Sequence, residues 1–381
     1  MLNPFTLAAN SGPIVLTKAD LFRVCIPMRE PFRISSGEVI RKEAILLRLG
    51  DGAYHGWGES SAMGGDFYSS ETPEGCESEL VNSVLPAVLN REFPSMLALE
   101  EDLVRLTGNR FVRGAVETAA WEFVAQRRHL SLRQLFGIPD RPIASGLAIG
   151  LYPDVAELQD AIRRYDPYQY GRLKLKIKRT HDIEVVKAAR SLVGNFPLFV
   201  DANADYSLSD LSTFVALDNE SLMMFEQPFG KDNFDGSTEL QRQVRTPVCL
   251  DESIETAEDA RRAIEMEACR VVNIKLQRVG GYLEALRIIQ VCSEHNVPVW
   301  MGTMPELGIG SAQALMLAAH PLFSFPTDVE PSSRWYLDDV VTPAIQLSNS
   351  SIHLPAGPGV GYRVDEKKLE QYTVTHRNFD I

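Results

Sequence analysis

The chain has little of what would tie it to a membrane, a nucleic acid or an oxidising compartment. Its five cysteines (Cys25, Cys76, Cys249, Cys269 and Cys292) form no CxxC and no paired spacing. That suits buried thiols in a reducing compartment better than a disulfide framework or a zinc site. No run of about 18 uncharged apolar residues occurs, so no membrane-spanning helix is expected. The first twenty residues lack a basic start, and Pro4 and Pro13 break their apolar stretches. They do not read as a signal peptide, and cytoplasm is the expected location. Basic charge is also short: 38 Lys and Arg face 51 Asp and Glu, a formal net charge of −13. Nucleic acid or an anionic membrane would need a basic face, so neither is an expected partner.

What is present is ordinary in bulk and unusual in pattern. With 45% hydrophobic and 23% charged residues, the composition is that of a globular enzyme. The 381 residues leave room for one barrel of about 250 residues and a smaller domain. Residues 1–16 read as a loose leader. From 17 to 140 strands come first, in TKADLFRVCIPM and EAILLRLGDGAYHGWGES, and then helices, among them an amphipathic VRGAVETAAWEFVAQRR; this is an α+β domain. From 141 to 345 strand and helix patterns alternate, starting at ASGLAIG and ending at VPVWMGT and FSFPTD, to make eight strands. Thr256 with Asp259 predicts a capping box on one of the helices. Residues 346–381 are expected to leave the barrel and return to the first domain.

Five polar residues punctuate the alternating region: Lys176, Asp201, Glu226, Asp251 and Lys275, spaced by 25, 25, 25 and 24 residues. Each closes a short apolar run, in RLKLKIK, LFVDAN, MMFEQP, PVCLDES and RVVNIKL. A strand, a loop and a helix take about this length, so these are consecutive βα units. A parallel barrel collects the C-terminal ends of its strands on one face, where its active sites lie. The expected fold is therefore α/β, a (β/α) barrel with an N-terminal α+β capping domain.

Three carboxylates would then meet in one pocket between two lysines. Asp201, Glu226 and Asp251 are hard oxygen ligands that suit Mg²⁺, with Mn²⁺ as a substitute. Any one of them alone is as readily a helix cap or a solvent-facing residue; three at this spacing form a site. Lys174, Lys176 and Lys178 share a strand face, and the intervening Leu173, Leu175 and Ile177 must face the helices. Lysines inside a barrel are desolvated and repel one another, which favours a neutral amine. Lys176 is thus the candidate base, Lys174 its tuner or a contact to a substrate carboxylate, and Lys178 a solvated rim residue. Lys275 lies about across the barrel. Arg278 either tunes it or is a surface loop residue. Asn203 shares a face with Asp201 and would orient a ligand or bind substrate, whereas Glu252 points away along an ideal strand. With a substrate carboxylate on the metal, loss of the α-proton would give an enediolate, with Lys176 acting on one face and Lys275 on the other.

LKLKIK, VDAN, FEQP, LDES and NIKLQRVGG resemble the barrel motifs of the enolase superfamily, muconate-lactonizing subgroup. Within it the similarity is to the o-succinylbenzoate synthases and the related N-acylamino acid racemases. The likeness spans nearly the whole chain: PFRISSG, GWGES, DFYSSET and RGAVETAAWEF resemble the capping domain, and MPELGIG and PSSRWYLDD the late barrel. It implies Mg²⁺ on Asp201, Glu226 and Asp251, and Lys176 and Lys275 as the acid/base pair. In a synthase Lys176 would drive a syn elimination of water while Lys275 stabilises the intermediate as a cation. In a racemase both lysines would exchange the α-proton, an activity that Arg278 also matches. Thr303, Met304 and Glu306 are expected to bind substrate or tune the site. The resemblance further implies a lyase or isomerase, a small carboxylate substrate and a homo-oligomer. No histidine stands at the seventh strand end, unlike the mandelate-racemase subgroup.

Two segments leave the substrate open. Phe67 and Tyr68, in the loop SAMGGDFYSS, would cover an apolar substrate arm or pack against the barrel mouth. Asp328 and Glu330, in PTDVEPS, resemble the acidic pair with which dipeptide epimerases hold an ammonium. Dipeptide epimerisation and muconate-type cycloisomerisation are the enzymatic rivals, and a non-catalytic barrel that only binds an acidic ligand is the third.

Overall fold

The computed structural model describes residues 4–35, 37–64 and 69–380. The chain opens with helix α1 (Pro4–Ala9) and strand β1 (Ile14–Val15), which pairs antiparallel with Glu92–Phe93. Residues 4–16 are therefore docked, against the expectation of a loose leader. Ala8, Ile14 and Leu16 are wholly buried, and that apolar burial is what anchors so short a segment.

Strands β2 (Lys18–Ile34), β3 (Gly37–Gly50) and β4 (His55–Ser60) make an antiparallel meander. Helix α2 (Arg110–Arg127) lies across it. Gly56 and Gly58 of β4 touch the α2 backbone at Ala115, Ala119 and Phe123, where any Cβ would collide. α2 is expected to be amphipathic, yet nearly every residue from Phe111 to Ala125 is buried, because sheet and barrel cover it from opposite sides.

The barrel follows as β5 (Leu147–Ile149), β6 (Leu173–Lys176), β7 (Leu198–Asp201), β8 (Phe225–Glu226), β9 (Val248–Leu250), β10 (Val271–Ile274) and β11 (Val299–Met301). All neighbours are parallel and stand in chain order. Between them lie α3 (Ile183–Val193), α4 (Ala257–Glu265), α5 (Leu276–Val279) and α6 (Tyr282–Glu294), and after β11 comes α7 (Gly308–Ala318). Thr256 and Asp259 form the predicted capping box on α4. Helices follow strands wherever an apolar face recurs at 3.6-residue spacing, and the strands are short apolar runs because both their faces are buried.

FSFPTD is not a full eighth strand. It closes the curled sheet through two single parallel bridges, Val299 to Phe323 and Ser145 to Thr327. Pro326 offers no N–H, which limits the ladder there. Strand β12 (Thr373–Asp380) runs antiparallel to β2 at the edge of the first sheet. Among the described residues no helix is long and apolar enough to cross a membrane.

Candidate active site

Register brings the strand ends level. Lys176 is opposite Asp201, and Asp201 is opposite Glu226. Asp251 and Lys275 come one residue after β9 and β10 end. The five residues thus stand on one rim, and all are buried: the three carboxylates are 0% exposed, Lys176 7% and Lys275 5%. Below them Phe199, Met224, Cys249, Val271 and Trp300 plug the barrel interior. That apolar floor lowers the local dielectric and strengthens every charge interaction above it.

The cations are shared out among the carboxylates. Lys176 Nζ lies 2.5 Å from Asp201 Oδ2. Lys174 Nζ stands 2.9 Å from Asp201 Oδ2, 2.8 Å from Glu226 Oε2 and 2.7 Å from Asp328 Oδ2. Across the barrel Lys275 Nζ is 2.8 Å from Asp251 Oδ2, and Arg278 pairs with Asp251 Oδ1. Asn273 donates to Glu226 Oε1 at 2.7 Å, and the Asn203 backbone N–H to Asp201 Oδ1 at 3.0 Å.

Burial, reinforced by Lys174, pushes the Lys176 amine below its ordinary range even though Asp201 pulls the other way. Burial acts on Lys174 too, but Asp201, Asp328 and Glu226 outweigh it and hold that ammonium charged. The two lysines of one strand are driven apart, one toward a base and one toward a fixed cation. Burial and Asp201 raise the Glu226 carboxyl, while Lys174 and Lys176 overcome burial to depress Asp201.

A cavity of about 410 Å³ opens at this rim. Lys176 and Lys275 both line it, with Lys174, Asn203, Thr303 and Asp328. Phe32, Ile34 and Met63 roof it from the first domain. Lys178 is exposed at the edge. Phe67 and Tyr68 lie outside the described residues.

Other expected residues sit differently. Arg278 is no loop residue: it lies in α5, is 5% exposed, and also donates to the carbonyls of Ile254 and Asn273. Glu252 does not point away. β9 ends at Leu250, the strand alternation lapses, and Glu252 Oε1 turns in to accept from Asn203 Nδ2 at 3.1 Å. Glu306 is buried and receives Thr303 Oγ1 and the Met304 N–H. Asp328 gives one oxygen to Arg172 and the other to Lys174, so its charge is met within the chain. Glu330 accepts from the Ala148 N–H at 3.0 Å, and burial raises its carboxyl to about 7.

Two residues outside these expectations support the rim. Arg172, 0% exposed, holds Asp328 and stacks 4.8 Å from the Phe199 ring centre. Its strand parity with Lys174 and Lys176 is the signal that marks it. Gln227, at a left-handed φ of 37°, accepts the Asp251 N–H at 2.9 Å and donates to Ser253 Oγ at 2.8 Å. It thereby fixes the turn that carries Asp251, a strained residue serving placement.

The donor set suits a hard divalent cation. Glu226 Oε2, Asp251 Oδ2, Glu252 Oε2 and Asn203 Oδ1 are buried without a well-directed hydrogen bond among the described residues. Those residues nevertheless hold no three carboxylates already gathered round one point. The Lys174 ammonium stands between Asp201 and Glu226 instead, so a metal would have to displace it.

Residues 17–137 match the family model for the mandelate racemase / muconate lactonizing enzyme N-terminal domain, and 156–368 that for the enolase C-terminal domain-like family. The chain is 38% identical over 364 residues to an o-succinylbenzoate synthase of Bacillus subtilis (strain 168), covering 94% of this chain and 97% of that relative. It is 37% identical over 359 residues to an N-succinylamino acid racemase of Amycolatopsis sp, covering 94% and 97%. A crystal structure of an enolase-superfamily member from Listeria innocua Clip11262 superposes with a TM-score of 0.91 at 34% identity, over 96% of this chain and 99% of that one.

Proposed function

This chain belongs to the enolase superfamily, and from that premise we propose that it abstracts a proton α to a carboxylate, most simply as an o-succinylbenzoate synthase. One observation carries the reading: Lys176 and Lys275 face the same cavity from opposite sides of the barrel, one of them with its amine pushed toward neutrality. Asp201, Glu226 and Asp251 would hold Mg²⁺, or Mn²⁺ in its place, once Lys174 moves aside. The bound ion would supply positive charge against the extra negative charge of the deprotonated carboxylate.

The chain's own residues do the rest. Neutral Lys176 takes the α-proton, and Lys174, which keeps Asp328 as its partner when it moves aside, stays a cation and repels a proton on Lys176. Lys275 remains an ammonium opposite, paired with Asp251. In a dehydration it stabilises the anion while water leaves on the Lys176 side. In a racemisation it returns the proton to the other face. The similarity to an N-succinylamino acid racemase supports that second reaction in the same site. The reading takes the enzyme to be cytoplasmic and homo-oligomeric, and light scattering that finds a single 42.4 kDa chain would remove the latter.

The test is turnover of 2-succinyl-6-hydroxy-2,4-cyclohexadiene-1-carboxylate with Mg²⁺. Lys176→Ala, which leaves no base, is expected to lose at least about 10³-fold in kcat, and chelation of the metal to abolish turnover. No turnover by the wild-type enzyme sinks the synthase assignment, and no α-proton exchange with N-succinylamino acids sinks the racemase one.

A further inference from the structure

Apart from the lysine cavity, a cavity of about 740 Å³ lies between residues 129–140 and the loop 356–358, and the two share no lining residue. Its walls are tied together. The Leu132 N–H donates to the Gly359 carbonyl at 2.8 Å, and the Gly359 N–H to that of Leu130 at 3.0 Å. Gly359 takes a φ of 67°, with Glu122 and Gln126 where a Cβ would stand. The short helix Leu132–Phe136, held by the Ser131–Gln134 capping box and a left-handed Gly137, carries Arg133 in the wall. The cavity is therefore preformed, and a ligand would not have to order it.

Arg133 is 8% exposed, and its Nη1 donates to Asp140. The Asp140 side chain is 81% exposed, so water screens that pair and keeps it weak. The Nε–Nη2 edge of Arg133 has no partner among the described residues. That edge is the planar fork that fits a carboxylate or a phosphate. Gln134 spends its Oε1 on the Ser131 N–H and hydroxyl, which leaves its Nε2 to donate, and His129 brings a ring N–H to the same cavity.

The charge of this stretch runs against that of the chain. The net charge is −13, yet residues 127–141 hold Arg127, Arg128, Arg133 and Arg141 against one acid, Asp140. Arg128 donates to the Ser11 carbonyl, Arg141 to those of Ala319 and His320, and Arg127 lies over the Phe123 ring. None of these three pairs with a carboxylate among the described residues, so their positive charge draws anions toward the cavity. Glu122, behind Gly359, is spent on the N–H groups of Trp57 and Val360.

We propose that this cavity binds an oxyanion, the carboxylate or phosphate group of a small molecule, on the free edge of Arg133. Asp140 is the competitor built into the chain: an arriving anion takes over Arg133 and releases Asp140 to water. The site is independent of the lysine chemistry.

Inorganic phosphate and succinate are the probes, titrated calorimetrically into the Mg²⁺-loaded enzyme. At least one should bind with a dissociation constant of about 1–10 mM, and which of them does so separates a phosphorylated ligand from a carboxylate. Arg133→Gln should weaken that binding at least about tenfold. Asp140→Asn, which removes the competitor at an exposed position, should tighten it about two- to fivefold. Failure of both probes to bind at about 50 mM overturns the proposal. So does binding that Arg133→Gln leaves unchanged, since that anion sits elsewhere, in the lysine cavity for example. If Arg133→Gln does not fold, Asp140→Asn decides, and anion binding no tighter than that of the wild type overturns the proposal.

Discussion

Asp328 shows how much a single buried charge decides at this rim. Its two oxygens hold Arg172 and Lys174, and those cations depress its carboxyl to about 2 in spite of burial. Asp328→Asn keeps the shape and removes the charge, leaving two buried cations with a neutral partner. We expect a loss of about 3–5 kcal/mol in urea denaturation, with activity falling alike on acylated substrates and on those bearing a free ammonium. A loss confined to dipeptide substrates would instead make Asp328 an ammonium acceptor. Side-chain parity made the direction of Lys174 and Lys176 legible in RLKLKIK, and Arg172 obeys the same parity. Parity failed at Glu252 because the strand it presumes stops two residues earlier. Nor could spacing foresee that Lys174 would sit between Asp201 and Glu226, since that depends on side-chain reach across strands.

Elements of the two layers are joined by carboxylates at helix starts. Glu117 of α2 accepts the first N–H groups of α6, from Tyr282 and Leu283, at 2.8 and 3.1 Å, and Trp121 Nε1 at 2.9 Å. Glu59 of β4 does the same for the start of α7. Such amides have no partner within their own helix, so a side chain from another layer both satisfies them and locks the layers in register. Gly281, at a φ of 124°, lies where a Cβ would strike the Glu117 carboxyl. Glu117→Gln turns an amide toward those donors and is expected to cost about 1–3 kcal/mol, read as a lower thermal midpoint with the Lys176 chemistry intact. An unchanged midpoint would show that this link does not hold the layers. Periodicity displays the long helices and the Thr256 box, but not these links, which join residues far apart in the chain. It also leaves α5 unseen, because a four-residue helix carries no period.

At the scale of the whole molecule, the βα alternation was plain because each strand is buried on both faces and reads as an apolar run. The docking of residues 4–16 was not, since their anchors are three scattered apolar side chains. The seam between sheet and barrel also sets how stability varies with pH. Burial raises Glu59, Glu117 and Glu122 from 4.5 to about 7. Between those values the unfolded chain releases protons that the folded one keeps, so stability falls as pH rises through this window. Each group contributes up to about 3 kcal/mol. His320, lowered by burial to about 4, works in the opposite sense: the unfolded imidazole is charged between 4 and 6.5, so its term grows with pH. Asp201 and Asp328 are both depressed, and their stabilisation is complete above about pH 4 and constant across the window. Glu330, raised to the same value, adds a fourth falling contribution, and four against one rising predict a net decline of about 4–7 kcal/mol between pH 5 and 7. Urea midpoints at pH 5, 6 and 7 measure it. A flat or rising series would mean that the N–H donors to these glutamates keep them ionised in the fold, and that the seam is held by charge and not by neutral carboxyls.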